Sequence, residues 1–479
     1  MCIRYSLLTL AACEPAVATL PGDGQTPPGT SETPPGTSDT PTPPAPTPPT
    51  VTGGVGISGL TATLHETYGS VVVVTWTQDA AASVHFEFSV DDGVWLTSPV
   101  RALEAGEHQE HLYGVPLDMD VTWRLVVSGG DAPSATADQV IRTGPLPPGL
   151  PVVTVEVSDP AGWDADGAPY LFTTLATPVW GDPFWVLILD RQARTVWAER
   201  SAFKHISMHS RVARDGRSLL IDQNSFWATF DLEDAWVDQK TLDGTLLHSF
   251  ATPGAHHPFT DMPDGSIAYG LLTGWYSPEV INVVKQDGTV TTLWECDDWM
   301  DSVGFFGICT SNTLNYDEAT DRFLFSFYSL DAIVEIDGTS GVATRWFGDV
   351  EGAYAFDPHD SQFWWQHGGV MTPDGTLLTS SDLAPAGIET IVREYEIDDA
   401  NKTLREVWSF GVGDGIYGEE MGEAVRLPNG NTWHNYGALA RLRETKPDGT
   451  VVWDLEWVSD AIGRTMPIAD LYSLGGERY

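Results

Sequence analysis

Beyond Pro151 the chain alternates apolar and polar positions in short β-forming stretches. Asp-Gly or Asn-Gly dipeptides punctuate them at Asp215, Asp243, Asp264, Asp287, Asp337, Asp374, Asn429 and Asp448. Such a dipeptide supplies the positive φ angles that a tight hairpin turn requires. In the clearest stretches the turns recur about every 20 residues, so that two hairpins make a four-stranded unit of about 45 to 50 residues. No helical periodicity lies between them. The pattern predicts an all-β chain in which residues 151–479 form a β-propeller of about six blades. Trp453-Asp454 does not make these WD40 repeats, because no Gly-His partner stands at repeat spacing.

Residues 53–147 read as a separate unit. Stretches 71–77, 84–90 and 121–128 alternate strongly and hold Trp76 and Trp123, as the inward-facing residues of a small two-sheet β-sandwich would. The segment resembles a fibronectin type III-like module and reads as structural support. Residues 14–52 hold 12 prolines among Thr, Ser and Gly. Such a composition cannot bury enough apolar surface to offset chain entropy, which predicts a disordered, extended linker or stalk. Ahead of it, in residues 1–13, the run Leu7, Leu8, Thr9, Leu10, Ala11, Ala12 and Cys13 resembles a bacterial lipoprotein processing box. The resemblance implies a signal peptide cleaved before Cys13 and lipid attachment at its thiol. Only Arg4 is basic ahead of it, and the segment is shorter than the roughly 15 to 30 residues usual for a signal. The expectation is an exported lipoprotein of the outer membrane, periplasm or cell surface, held to a membrane through its lipid anchor only. No run of about 18 apolar residues suggests a membrane-spanning helix.

Charge narrows the partners. With 67 Asp plus Glu against 24 Lys plus Arg, the formal charge is −43. Nucleic acid is excluded as a partner, because binding polyphosphate needs a basic face that releases counterions. An anionic small molecule would need a local pocket of His, Arg or dipoles that reverses the field. Four cysteines are too few for a disulfide framework. Cys296 and Cys309, in one predicted blade, are a candidate disulfide worth roughly 3 kcal/mol by loop closure. The acidic pairs Asp297-Asp298 and Glu419-Glu420 form no Asp-x-Asp-x-Asp-Gly loop, so neither a metal nor a cofactor is expected.

Two histidines share a register in the repeats. His257 stands eight residues before Gly265, and His367 eight before Gly375. Equivalent positions in radially arranged blades point at one central funnel, so the two imidazoles converge despite their separation. Around them the sequence resembles the arylsulfotransferase (aryl-sulfate sulfotransferase) family. Phe363, Trp364, Trp365, Gln366 and His367, followed by Pro373-Asp374-Gly375 and Ser380-Ser381-Asp382, look like that family's Gln-His block. Residues 312–317, 323–326 and 333–348 look like its central block, and 426–431 with 444–453 like its late strands. The resemblance implies a secreted six-bladed propeller that moves a sulfuryl group from a phenolic sulfate donor to a phenol acceptor through a sulfohistidine. His367 would be the nucleophile, His257 a second catalytic histidine, and His256 and Asn312 substrate-binding groups. Neutral imidazole is a suitable nucleophile near pH 7, and cations or hydrogen-bond donors would stabilise the sulfuryl oxygens.

Two positions depart from the family. Thr310 stands where it has a histidine, and Tyr328, 18 residues on, where it has an arginine. A tyrosine offers one neutral hydroxyl in place of a permanent charge and a bidentate fork. Among residues that would compensate are His359, and His205 or His209 in the first predicted blade; Trp364 and Trp365 would wall an aromatic pocket. Two readings stay open: a sulfuryl transferase using His367, and a catalytically inactive propeller serving as a cell-surface binding or scaffold lipoprotein.

Overall fold

A computed structural model describes residues 54–478, apart from residues 92, 230 and 305 and the segments 130–132, 178–183, 273–278 and 384–387. Cys13 and the Pro/Thr-rich stretch lie outside the described residues.

The chain is all-β, and its larger part is a six-bladed propeller. Blade 1 holds Tyr170–Leu175, Trp185–Asp190 and Thr195–Arg200; blade 2 begins at Arg211–Val212 and continues through Leu219–Asn224, Ala235–Lys240 and Leu246–Ala251. Blades 3, 4 and 5 begin at the inner strands Ala255–Asp261, Ser311–Asp317 and Trp364–Met371, and blade 6 runs from Glu423–Arg426 to Val451–Trp457. Each inner strand neighbours the next around one axis.

Closure comes from both ends of this region. Ile462–Ile468 pairs antiparallel with Tyr170–Leu175 and becomes the inner strand of blade 1, while Val153–Ser158 pairs with Val451–Trp457 and extends blade 6 outward. An unclosed ring would leave two strand edges unpaired against water or another chain. Alternating repeats do not reveal these two stitches, because each joins segments some 300 residues apart in sequence to sheets already complete in their hairpins.

The hairpin turns differ from the expected form. At seven of the eight dipeptides only the glycine takes positive φ, from +67° at Gly216 to +90° at Gly430; in the Asp337 turn that role passes to Gly341. The Gly265 N–H donates to the Met262 carbonyl at 2.9 Å, and the Ser266 N–H to Asp264 Oδ1 at 3.0 Å. This is a type I turn followed by a left-handed glycine: the carboxylate accepts an N–H two residues on and holds the aspartate in the right-handed region.

Aromatic side chains fill the space between blades. Trp294, Phe325 and Phe327 pack at the blade 3–blade 4 seam with Trp299 of the short helix Cys296–Val303, and Cys296 is disulfide-bonded to Cys309 there, Cα–Cα 6.5 Å. Ahead of the propeller, Ile57–Leu64, Val72–Gln78 and Gly106–Leu112 form one sheet and Ala82–Val90 with Asp120–Ser128 centre another; Trp76, Phe86 and Trp123 are buried between them. This sandwich rests on blade 1 and the C-terminal turn. Tyr68 stacks on Trp197 at 5.3 Å and donates to Glu199, and Tyr113 meets Tyr472 at 5.5 Å.

Candidate active site

The inner strands begin at one end of the axis, and their first residues carry the histidines. In Ala255–Asp261 the alternation of a strand sends His256 into the protein, where it is fully buried, and leaves His257 half-buried. The blade 5 strand repeats this: Gln366 is fully buried and His367 half-buried. His209, just before the inner strand of blade 2, completes the group. Its ring lies 5.1 Å from that of His257, whose ring is 4.3 Å from His256.

His367 is held in an irregular piece of backbone. Its strand breaks register with Leu377–Asp382 on both sides of His367, Trp365 has φ +46° and Gly368 has φ +68°. Such irregularities re-aim side chains and persist only where neighbours enforce them. The Trp365 N–H donates to Asp331 Oδ1 at 2.5 Å. Gln366 Nε2 donates to the Phe327 and Ala332 carbonyls at 3.1 and 2.9 Å and lies 3.2 Å from Ser326 Oγ, while the Gln366 carbonyl accepts Asn312 Nδ2 at 2.6 Å. A Cβ on Gly368 would stand 2.9 Å from the Cβ of Glu423. Gln366 and Asn312 thus anchor the strand, and glycine next to His367 admits blade 6.

The imidazoles are neutral. Burial lowers His367 to about 4, and the Trp365 carbonyl, 3.2 Å from Nδ1, only partly opposes it. Since that carbonyl can only accept, Nδ1 carries the proton and Nε2 keeps its lone pair. Burial holds His257 and His209 well below the ordinary range, and at His209 the charge of Arg464 adds to it. His256 falls to about 4 by burial, and Glu279, 3.4 Å away, rises to about 8 for the same reason. Their contact is therefore neutral with neutral, not an ion pair, and Ser311 donates its N–H to Glu279 Oε2 at 2.6 Å.

Thr310 and Tyr328 flank the first hairpin of blade 4. Tyr328 sits on the turn Tyr328–Leu330 with its ring 5.4 Å from His367, and its hydroxyl is pushed up to about 12 by burial and then by Glu420. It is a neutral donor. Thr310 precedes the inner strand of blade 4 and donates its N–H to Ser329 at 2.8 Å.

Positive charge comes from residues the sequence pattern does not flag. Arg464, in the closing strand Ile462–Ile468, and Arg211, in blade 2, are both buried beside the axis. Arg464 donates to Asn315 Oδ1 at 2.5 Å, lies 3.5 Å from Glu423, and its charge is, after burial, the strongest influence lowering His209. Arg211 donates to Thr260 at 2.9 Å and stands 3.6 Å from Asp261; burial lowers it to about 10, which leaves it protonated at neutral pH. The inner strands of blades 1 and 2 therefore each carry a buried arginine. Past Arg464, toward the Thr372–Pro373 side, a cavity of about 190 Å³ is lined by Val370, Met371, Glu423, Arg426 and Met466; the histidines do not line it.

His209 belongs to blade 2, not to the first blade. His205 is buried 3.1 Å from Asp234, and His359 is exposed on an outer turn; neither has a contact with His367. Trp365 lies 6.5 Å from Tyr328. Among the described residues no group of three or more His, Cys, Asp or Glu is placed to hold a metal ion, and no helix is long and apolar enough to cross a membrane.

The model of the arylsulfotransferase (ASST) family matches residues 310–463. The match begins at Thr310, takes in Asn312, Tyr328 and His367, and stops one residue before Arg464. No curated protein matches the chain by sequence. Similar solved structures include a protein of unknown function from Bacteroides caccae, 15% identical, covering 63% of this chain and 100% of its own with TM-score 0.42. The periplasmic gluconolactonase of Pseudomonas aeruginosa is 14% identical over 62% of this chain and 99% of its own, TM-score 0.37. Virginiamycin B lyase from Staphylococcus aureus is 12% identical over 66% and 100%, TM-score 0.35. At these identities and TM-scores the likeness says nothing of chemistry, and the propeller stands on its own six sheets.

Proposed function

We propose that the protein is an arylsulfotransferase-like enzyme that carries a sulfuryl group from a phenolic sulfate ester to a phenol on His367. The observation that supports this reading most is that His367 opens the inner strand of blade 5 at the register at which His257, 5.1 Å ring to ring from His209, opens that of blade 3, with Arg464 buried on the closing inner strand. Nε2 of His367 attacks sulfur as the sulfur–oxygen bond of the ester breaks, and the electron pair leaves with the phenolate. The acceptor's hydroxyl then attacks the sulfurated nitrogen's sulfur, returns the electron pair to Nε2 and gives up its proton to an imidazole, the role we assign to His257. In this scheme the axial arginines face the sulfuryl oxygens, where preorganised donors and charge matter most, and Asn312 holds the strand that carries His367.

The alternative, a binding or scaffold propeller without turnover, is favoured by one observation: Arg464 is already engaged by Asn315 and Glu423. Incubation with 4-nitrophenyl sulfate and a phenol decides between them. The enzyme reading expects nitrophenolate release and an acid-labile sulfate on His367, both absent in His367→Ala. Neither product nor adduct in the parent chain rejects it for this donor class.

The resemblance of the first 13 residues to a lipoprotein box, and the Cys296–Cys309 disulfide, support an exported, lipid-anchored protein. The sandwich is read as fibronectin type III-like support. Mass spectrometry of the protein from its native membrane, looking for an acylated Cys13 at the N-terminus, tests the anchor.

A further inference from the structure

Beside His367, on the side of Tyr328, the site is lined by rings and carboxyls and by no described cation. Tyr328 lies 6.5 Å from Trp365, and Asp331 accepts the Trp365 N–H. Asp382 ends the second strand of blade 5, 3% exposed; its Oδ1 is 3.5 Å from Thr390 and its Oδ2 has no hydrogen-bond partner. Asp382 pairs across the strands with Trp364, the neighbour of Trp365, and the Tyr328 hydroxyl is raised by burial, then by Glu420, with Asp382 adding to it. Among the described residues none of Asp331, Asp382 and Glu420 forms an ion pair.

Such a wall offers a sulfate no cation. Burial and like charge push Asp382 up to about 7 and Asp331 to about 6, so the empty wall resists ionisation. A cation placed there would reverse that cost, since an opposite charge favours the carboxylate, and aromatic faces attract cations as well. The Oδ2 of Asp382, buried on the strand that pairs with Trp364, is the atom that lacks its partner.

We propose that this wall is a subsite for an alkylammonium group, so that the phenolic ligand of the site is a cationic phenol. The inference rests on the preceding reading for the phenol and its place beside His367, and it goes further by fixing the charge of the molecule. The negative surface would concentrate such a ligand, whereas it opposes an anion.

The test is binding without a sulfate donor, so that it does not depend on turnover. Titration calorimetry on the full chain compares 4-(aminomethyl)phenol, 4-(hydroxymethyl)phenol and 4-hydroxybenzoate at pH 8, in about 0.5 M NaCl to screen the general surface charge. The expected result is a Kd for the amine about tenfold or more below that of the alcohol, as a desolvated cation–π and carboxylate contact supplies. Asp382→Asn and Tyr328→Arg should each erase that preference; Tyr328 is half-buried, so its variant guards against a fold lost at Asp382. Equal Kd values for amine and alcohol, absence of binding by all three, or a preference that survives both substitutions overturns the proposal. Ammonium preference without sulfate transfer would leave this inference standing and remove the transferase; transfer without preference would do the reverse.

Discussion

The phenol ring of Tyr328 lies 5.4 Å from the imidazole of His367, inclined by 53°. The sequence resemblance implies an arginine at this position, so in the proposed transferase the relationship separates two contributions: packing against His367 and charge for the sulfuryl group. Tyr328 supplies the first and one neutral hydroxyl. Tyr328→Phe should lower kcat/KM for 4-nitrophenyl sulfate by no more than about tenfold, the scale of one ordinary hydrogen bond. Tyr328→Arg should raise it. Steady-state nitrophenolate release measures both; a loss beyond about a hundredfold in the phenylalanine variant would mean the hydroxyl acts in the transition state.

Arg464 is assigned the charge that Tyr328 lacks. Arg464→Met should cut kcat/KM for the same donor by about 10²- to 10³-fold, the usual loss for one preorganised donor. The substitution also strands Glu423, 3.5 Å away and buried, so stability falls with it. The double variant Arg464→Met with Glu423→Gln removes the stranded charge and should recover thermal stability without recovering rate. Recovery of both would make Arg464 a structural residue only.

Gly368 and Gly375 separate backbone conformation from crowding. Both have positive φ, +68° and +79°, but a Cβ at Gly375 meets nothing within 4 Å whereas one at Gly368 meets Glu423 at 2.9 Å. Gly375→Ala should cost about 1 kcal/mol in urea unfolding, from conformation alone. Gly368→Ala should cost about 2 to 4 kcal/mol, because a rigid neighbouring blade must also shift. It should lower kcat as well, since His367 is the preceding residue. Equal costs would show that blade 6 yields freely.

What the sequence makes legible is what repeats locally. Asp-Gly spacing announces hairpins, and the shared offset of His257 and His367 from their turns places both at the inner strand starts, because a strand's register is tied to its turn. His256 and Gln366 were legible as neighbours of those histidines, but their burial as anchors was not, since it depends on carbonyls of the adjacent blade. Arg464 was invisible for the same reason. It lies on a strand that joins blade 1 from the far end of the chain, at no repeat offset from any other site residue. Closure also explains why alternation does not connect Arg464 with Thr310 and Tyr328. Nor does composition reveal that Trp365 and Gly368 take positive φ on either side of His367.

The acidity at which activity fails offers the last test. The ordinary histidine pKa is about 6.5, and burial brings His367 down to about 4. Only the unprotonated ring can attack sulfur, so the active form predominates above the lowered value and disappears as pH falls through it. kcat/KM for a neutral acceptor should therefore stay level from neutrality down to about pH 5 and fall near pH 4, about tenfold per unit below that. Asp382, raised to about 7, titrates on the level part and is removed from the profile by Asp382→Asn. The same burial acts on the fold. His256 and His434, lowered to about 4 and about 3, refuse protons that the unfolded chain accepts below about 6.5, so stability declines as pH falls from there toward those values. Brief pH-jump assays with return to pH 7 distinguish reversible titration from unfolding. A reversible midpoint near 6.5 would show that the imidazole which limits the rate is solvated, and His367 would then not be the nucleophile in its buried setting.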